Sequence, residues 1–245
     1  MTTAKRVALV TGGGSGIGLA TARLLYDEGW TVYAVGRDRA KLAPLEPEIH
    51  IGSVDVTQPA AVRALFERIE SEQGRLDLLF NNAGAFGPLA PFEDVPHDGW
   101  QATVDVNVTG AFLCAQEAFR LMGRQSPSGG RIVNNGSVSA HAPRPNAVAY
   151  TVTKHAITGL TKQLSLEGRR HGIACGQIDI GNAATAITQR IGDGALQADD
   201  TIAPEPLMNV DNAARAVVFM AGLPLDANVL FMTVLATSMP FVGRG

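Results

Sequence analysis

Short apolar runs alternate with longer amphipathic stretches along the whole chain. Residues 6–10, 31–35, 49–54, 76–80, 131–135, 173–180 and 229–235 are runs of mostly apolar positions, the pattern of strands buried on both faces. Between them, apolar positions recur at helical spacing over residues 17–28, 59–73, about 100–125, about 150–171 and about 210–222. Gly29 and Gly74 stand where helices end, and Thr57 is the expected cap ahead of Pro59. A weak helix starts at Arg39 and is broken by Pro44 and Pro47. Strands alternating with helices of this length predict an α/β fold: one doubly wound parallel sheet, Rossmann-like, of about seven strands with helices on both faces. No linker interrupts the rhythm, so residues 1–245 read as one domain. Two connections, 83–99 and 181–209, are long, and both leave the carboxyl ends of strands, where open α/β sheets bind ligands.

Composition narrows the classes. The chain has 245 residues, 46% hydrophobic and 18% charged, enough for a core and too apolar for disorder. A net charge of −3 without a basic block argues against nucleic acid or an anionic membrane as partner. The first ten residues hold only a four-residue apolar run, and no stretch approaches the ~18 apolar residues of a membrane span, so a cytoplasmic protein is expected. Cys114 and Cys175 read as buried free thiols, and the five histidines show no metal-ligand spacing, so no metal site is predicted. Glycine is in excess: 27 residues, about 11% against an average of about 7%.

Much of that excess has a purpose. Thr11-Gly12-Gly13-Gly14-Ser15-Gly16-Ile17-Gly18 joins the first strand to the first helix. Glycines let the backbone turn tightly and approach a pyrophosphate, which the helix N-terminus then receives. The spacing is Gly-x-x-x-Gly-x-Gly, without the Lys-Ser/Thr pair of a nucleoside-triphosphate loop, and predicts a dinucleotide. After the second strand stand Gly36 and Arg37, with no carboxylate to repel a 2′-phosphate and a guanidinium to pair with it. NADP(H) is therefore preferred over NAD(H), although Asp38 follows directly and could reach a ribose from a shifted register.

Tyr150 and Lys154 lie four apart at the start of a helix, on one face. A phenol near pKa 10 is a poor proton shuttle at neutral pH, and a neighbouring ammonium favours its ionised form. Ser137, thirteen residues earlier, ends a strand and can hold a carbonyl oxygen beside the phenol.

The glycine loop, Asp55-Val56, Asn81-Asn82-Ala83-Gly84, Asn107, Ser137 and the Tyr150/Lys154 pair together resemble the classical short-chain dehydrogenase/reductase family, over residues 5–222. The resemblance implies hydride transfer between a nicotinamide cofactor and a small neutral ketone, aldehyde or secondary alcohol. It implies Tyr150 as general acid or base, Lys154 lowering its pKa and contacting the nicotinamide ribose, Ser137 polarising the carbonyl, and Asn107 holding a water in a relay to Lys154. Gly12, Ser15, Gly16, Ile17 and Gly18 would cradle the cofactor. Asp55 and Val56 would flank its adenine, Asn82 and Gly84 would border it, and Thr185 would contact the carboxamide. A homo-oligomer, tetramer or dimer, is implied through the helices at 100–125 and 150–171, with Ala111, Phe112, Ala115 and Phe119 compatible with packing between subunits or against the chain's own sheet. A non-catalytic NAD(P)-binding regulator and an NAD-dependent dehydrogenase of the same family stay open as alternatives.

Three departures stand out. The family's Pro-Gly after the sixth strand is Ile180-Gly181 here, leaving the placement of Thr185 less rigid. Asn134, Asn135 and Asp179 are polar where strands should be buried, and an Asn135–Asp179 hydrogen bond is expected to satisfy two of them. The tail is apolar, and Met239, Phe241 and Val242 are expected to dock near a subunit interface. Residues 182–207, with Ile187, Ile191, Leu196 and Ile202, read as a lid over the substrate, and His141 as a surface histidine.

Overall fold

Alternation along the first strand assigns its residues to two layers. In β1 (Val7–Thr11), Ala8 and Val10 pack into one apolar cluster, and Val7 and Leu9 into another on the opposite face. The computed structural model, which describes residues 5–186 and 188–242, repeats this in β2 (Thr31–Gly36), β4 (Leu78–Asn81), β5 (Gly130–Asn135) and β6 (Ile173–Gly181), while the edge strands β3 (His50–Ser53) and, numbered after the 182–207 segment, β9 (Phe231–Leu235) pack on the Ala8 face alone. These seven strands are all parallel, in the order β3-β2-β1-β4-β5-β6-β9. Helices α1 (Gly16–Asp27), the single turn α2 (Arg39–Leu42) and α8 (Val210–Gly222) cover the Ala8 face; α3 (Pro59–Gln73) and α5 (Ala111–Arg124) cover the Val7 face, joined by α6 (Val148–Gly168) through Leu164. The strand order reverses between β1 and β4, so a crevice opens there at the carboxyl edge.

The expected elements stand within a few residues of their predicted places, with three physical differences. The helix expected over 100–125 runs from α4 (His97–Val104) into α5 through a π-helical turn at Asp105–Gly110, with Asn107 inside it. Thr57 does not cap α3: its N–H and hydroxyl both donate to Asp55 Oδ1, at 3.0 and 2.8 Å, and Gln58 takes the cap position without a side-chain bond. The 182–207 segment carries structure of its own, α7 (Gln189–Asp193) and an antiparallel pair of β7 (Ala195–Leu196) with β8 (Ile202–Ala203). Ile187 lies outside the described residues. Cys114 and Cys175 are buried and free, with burial pushing each thiol up to about 12.

Candidate active site

Thr11 ends β1 with its hydroxyl beneath the next strand: Oγ1 accepts from the backbone N–H groups of Asn82 and Ala83, both at 2.9 Å. Asn82 answers through Nδ2, which donates to Thr11 O at 2.9 Å, and its Oδ1 accepts from Asn135 Nδ2 at 2.9 Å. The glycine loop is thus stitched to β4 and β5. Gly12 turns the chain with φ +66°, and a Cβ on Gly18 would lie 2.3 Å from Gly12 O, so the helix can start this close to the loop only with glycine there. Helix α1 then begins behind Ser15 with no side-chain cap and no acid in its first turn, leaving its positive end open to an anion.

Two clefts meet at Gly12, Ser15 and Gly84. One continues past Gly16, Ile17 and Asn82 to Tyr150, Lys154 and Thr185; the other runs past Arg37 and Lys41 to Asp55 and Val56. All residues expected to touch a cofactor line one of the two, except Gly18, which lies under the loop. Asp38 also lines this second cleft and caps α2: Oδ1 accepts from Ala40 N at 3.0 Å, and Oδ2 faces Lys41 at 3.8 Å. Cations at one end, a bare helix N-terminus in the middle and a phenol–ammonium pair at the other fit a dinucleotide. Among the described residues, no group of three or more His, Cys, Asp or Glu forms a metal site.

At the inner end, Lys154 is 6% exposed; burial brings its ammonium down to about 8, opposed by the Asp179 charge, and its Nζ donates to Asn135 O at 2.7 Å. That Nζ stands 5.4 Å from the centre of the Tyr150 ring. Tyr150 itself is held above its ordinary value, chiefly by burial; the Ser137 hydrogen bond and the Arg144 charge pull it down, and Asp179 pushes it up. The lowering influences on the phenol do not offset its burial. Ser137 Oγ also accepts from Ser139 N at 3.1 Å, which fixes it at the start of a short 3-10 turn.

The Asn107 side chain is engaged by its own neighbours. Its Oδ1 accepts from Ala85 N at 2.7 Å, and its Nδ2 donates to Ala85 O at 2.8 Å and Thr153 Oγ1 at 3.0 Å. The side chain clamps the 83–99 connection to α6. The expected Asn135–Asp179 bond is not made. In the parallel register Asn135 faces Ile178, and it turns instead to Asn82. Asp179 accepts from Ser137 N at 2.9 Å, Gln177 Nε2 at 2.7 Å and His141 Nε2 at 2.8 Å. His141 is at the surface as expected, yet bonded inward. The tail docks in part: Met239 is buried, Phe241 packs on the core and edges against the His141 ring, and Val242 is 90% exposed.

Several contributors left no local sequence signal. Phe86 stacks on Tyr150, ring centres 4.4 Å apart, and separates the inner cleft from an apolar one lined by Leu89, Pro145, Ile191 and Leu196. Asn182 takes φ +52° in the turn that lacks the family's proline, and its side chain holds that turn by donating to Glu205 Oε2 at 2.8 Å and accepting from Arg144 at 2.9 Å. Arg144 and Glu205 form a bidentate pair at 2.9 and 2.7 Å. Burial pushes the Glu205 carboxyl up, but the hydrogen bonds from Arg144 and Asn182 and the Arg144 charge overcome it and bring it to about 2. Only the charges were visible in sequence, 61 residues apart.

Residues 6–195 match the family described as short chain dehydrogenase. A 3beta-hydroxysteroid dehydrogenase of Mediterraneibacter gnavus is 39% identical over 193 residues, 76% of this chain and 69% of that protein. Among solved structures, an acetoin dehydrogenase from Salmonella typhimurium is 32% identical with a TM-score of 0.81, covering 96% of each chain. An actinorhodin polyketide ketoreductase variant solved with NADPH is 27% identical with a TM-score of 0.83, covering 96% of this chain and 98% of that one.

Proposed function

The chain belongs to the short-chain dehydrogenase family, a nicotinamide-dependent oxidoreductase acting on CH–OH and C=O groups, and from that premise we propose that it is an NADP(H)-preferring reductase of small neutral ketones or aldehydes. The observation that carries this reading is geometric: Tyr150 hydrogen-bonds Ser137 and stands beside Lys154 at the inner end of the cleft that the glycine loop lines. A protonated phenol is the state a general acid needs.

Bound in the cleft, the nicotinamide supplies the hydride. Tyr150 delivers the proton to the carbonyl oxygen, which Ser137 orients by a second hydrogen bond, and Lys154 replaces positive charge near the phenol as the proton leaves. The reverse direction uses the same groups with Tyr150 as base. Arg37 and Lys41 favour a 2′-phosphate, since Asp38, which lines the same cleft, has one oxygen engaged in capping α2 and the other facing Lys41. The apolar cleft beyond Phe86 suits a neutral substituent, because the charge of Arg144 at its edge is taken up by Glu205. The reductases and dehydrogenases it resembles are named for a steroid, acetoin and a polyketide, all carrying such carbonyl or hydroxyl groups.

Exposed Phe112, Val152 and Leu166 on α5 and α6 support assembly as a homo-oligomer. No described helix is long and apolar enough to cross a membrane, in keeping with a cytoplasmic place. The reading is tested by a panel of ketones, aldehydes and alcohols followed at 340 nm with NADPH and NADH in parallel. Turnover should be faster with NADPH, and Tyr150→Phe should lower it by about 100-fold or more while NADPH still binds. NADPH binding without turnover on any substrate would favour a regulatory protein instead.

A further inference from the structure

We propose that Asp179 is a positioning residue for the Ser137–Tyr150 pair, fixing the Ser137 backbone through a buried hydrogen bond and setting its charge on the side of the phenol. The proposal rests on the reductase reading above and deepens it.

Asp179 lies two residues before the end of β6, a strand whose every residue is buried, and it is itself 0% exposed. A carboxylate there requires donors, and it has three. Ser137 N–H at 2.9 Å and Gln177 Nε2 at 2.7 Å meet Oδ1, and His141 Nε2 meets Oδ2 at 2.8 Å. The Ser137 bond is to the backbone, so it sets where that residue stands whatever rotamer its hydroxyl takes. The surroundings are shaped to the carboxylate: a Cβ on Gly136 would lie 2.0 Å from Asp179 Oδ1. Gln177 continues inward to Thr161 and Asn134, so the carboxylate terminates a polar chain across two strands that is anchored deep in the sheet.

An apolar residue here would need no such provision, which leaves the charge itself to be explained. The titratable groups facing Asp179 are His141 from the loop after β5 and Tyr150 and Lys154 from α6; Arg144 acts on Tyr150 but is paired with Glu205. On the other side, β9 presents Thr233 in register, and the tail offers Met239 and Phe241. Burial is the larger influence on both groups, raising Tyr150 and lowering Lys154, and the Asp179 charge raises both.

The test needs no substrate. Tyrosine labelled at Cζ is titrated by NMR in the full chain, with Tyr150→Phe to assign the signal, and exchange of the Ser137 amide is followed in parallel. Asp179→Asn keeps an acceptor and removes the charge, so the Tyr150 titration should fall by about one pH unit while the Ser137 amide stays protected. Asp179→Ala removes both, and Ser137 exchange should quicken by about tenfold or more. An unmoved Tyr150 titration in folded Asp179→Asn overturns the charge role, and unchanged Ser137 exchange in Asp179→Ala overturns the positioning. Where neither variant folds, His141→Ala carries the test: it strips a donor from the carboxylate, and Tyr150 should then titrate higher, an unmoved or lower titration counting as refutation. Absence of turnover on the substrate panel would sink the reductase reading and leave these titrations standing.

Discussion

Removing one partner of the Arg144–Glu205 pair should loosen the 182–207 segment far more than removing both. The pair joins the loop between β5 and α6 to that segment with side chains only 11% and 1% exposed. Glu205 falls from its ordinary 4.5 to about 2, a displacement worth about 3 kcal/mol in favour of the ionised, paired state. Its folded value lies below its unfolded one, so this contribution is complete above about pH 4.5 and fades as pH falls toward 2. Arg144→Met or Glu205→Met alone leaves a buried charge without its partner and should destabilise by about 3–5 kcal/mol at pH 7. In a chain of this length that corresponds to a fall in melting temperature of roughly 6–15 °C, provided the segment unfolds with the rest. If it opens on its own, the same loss appears as faster hydrogen exchange over 182–207. The double variant with Met at both positions exchanges the pair for apolar contacts and should recover most of the loss. Melting curves and hydrogen exchange of the four proteins at pH 7 decide the matter. Single variants within about 0.5 kcal/mol of the parent, or a double variant as unstable as the two losses combined, would refute the reasoning.

Two other perturbations bear on the cofactor site. Lys154 keeps its proton to about 8 in the folded chain and to about 10.5 unfolded, so stability should rise as pH climbs between those values, and Lys154→Met should be about 1–2 kcal/mol more stable than the parent at pH 7 in urea unfolding while losing turnover; a less stable variant refutes this. Arg37→Ala should weaken NADPH binding by about 10- to 100-fold and leave NADH binding within about twofold by fluorescence titration; equal losses for both would place Arg37 away from the 2′-phosphate.

The sheet was readable because each strand needed only its local run of apolar residues, and the alternation of β1 appears unchanged as two packed layers. The glycine loop and the Tyr150/Lys154 helix were readable for the same reason: their chemistry is written within eight residues and five residues respectively. What escaped was long-range pairing. Asp179 announced itself as a buried carboxylate, but pointing it at Asn135 ignored the register, which puts Ile178 opposite that residue. Asn107 was placed at the site, while the partner that consumes its side chain, the Ala85 backbone, lies 22 residues away. Phe86 on Tyr150 and Arg144 on Glu205 have no period or spacing to betray them.

The π-turn at Asp105–Gly110 escaped because one surplus residue hardly disturbs an apolar stripe, and its effect is on phase. Thr103, Asn107 and Ala111 follow one another at intervals of four and are all buried, at 2%, 3% and 6%. A regular α-helix would have rotated by about 80° over those eight residues. The wider turn absorbs that drift like the offset scale of a vernier, so Asn107 meets α6 while Cys114, Ala118 and Leu121 still meet the sheet. Length is therefore the protected quantity in this stretch. Substitutions at its outward positions leave the phase intact, whereas deleting any single residue between 105 and 110 would swing either the clamp or the sheet-facing side of α5 into solvent.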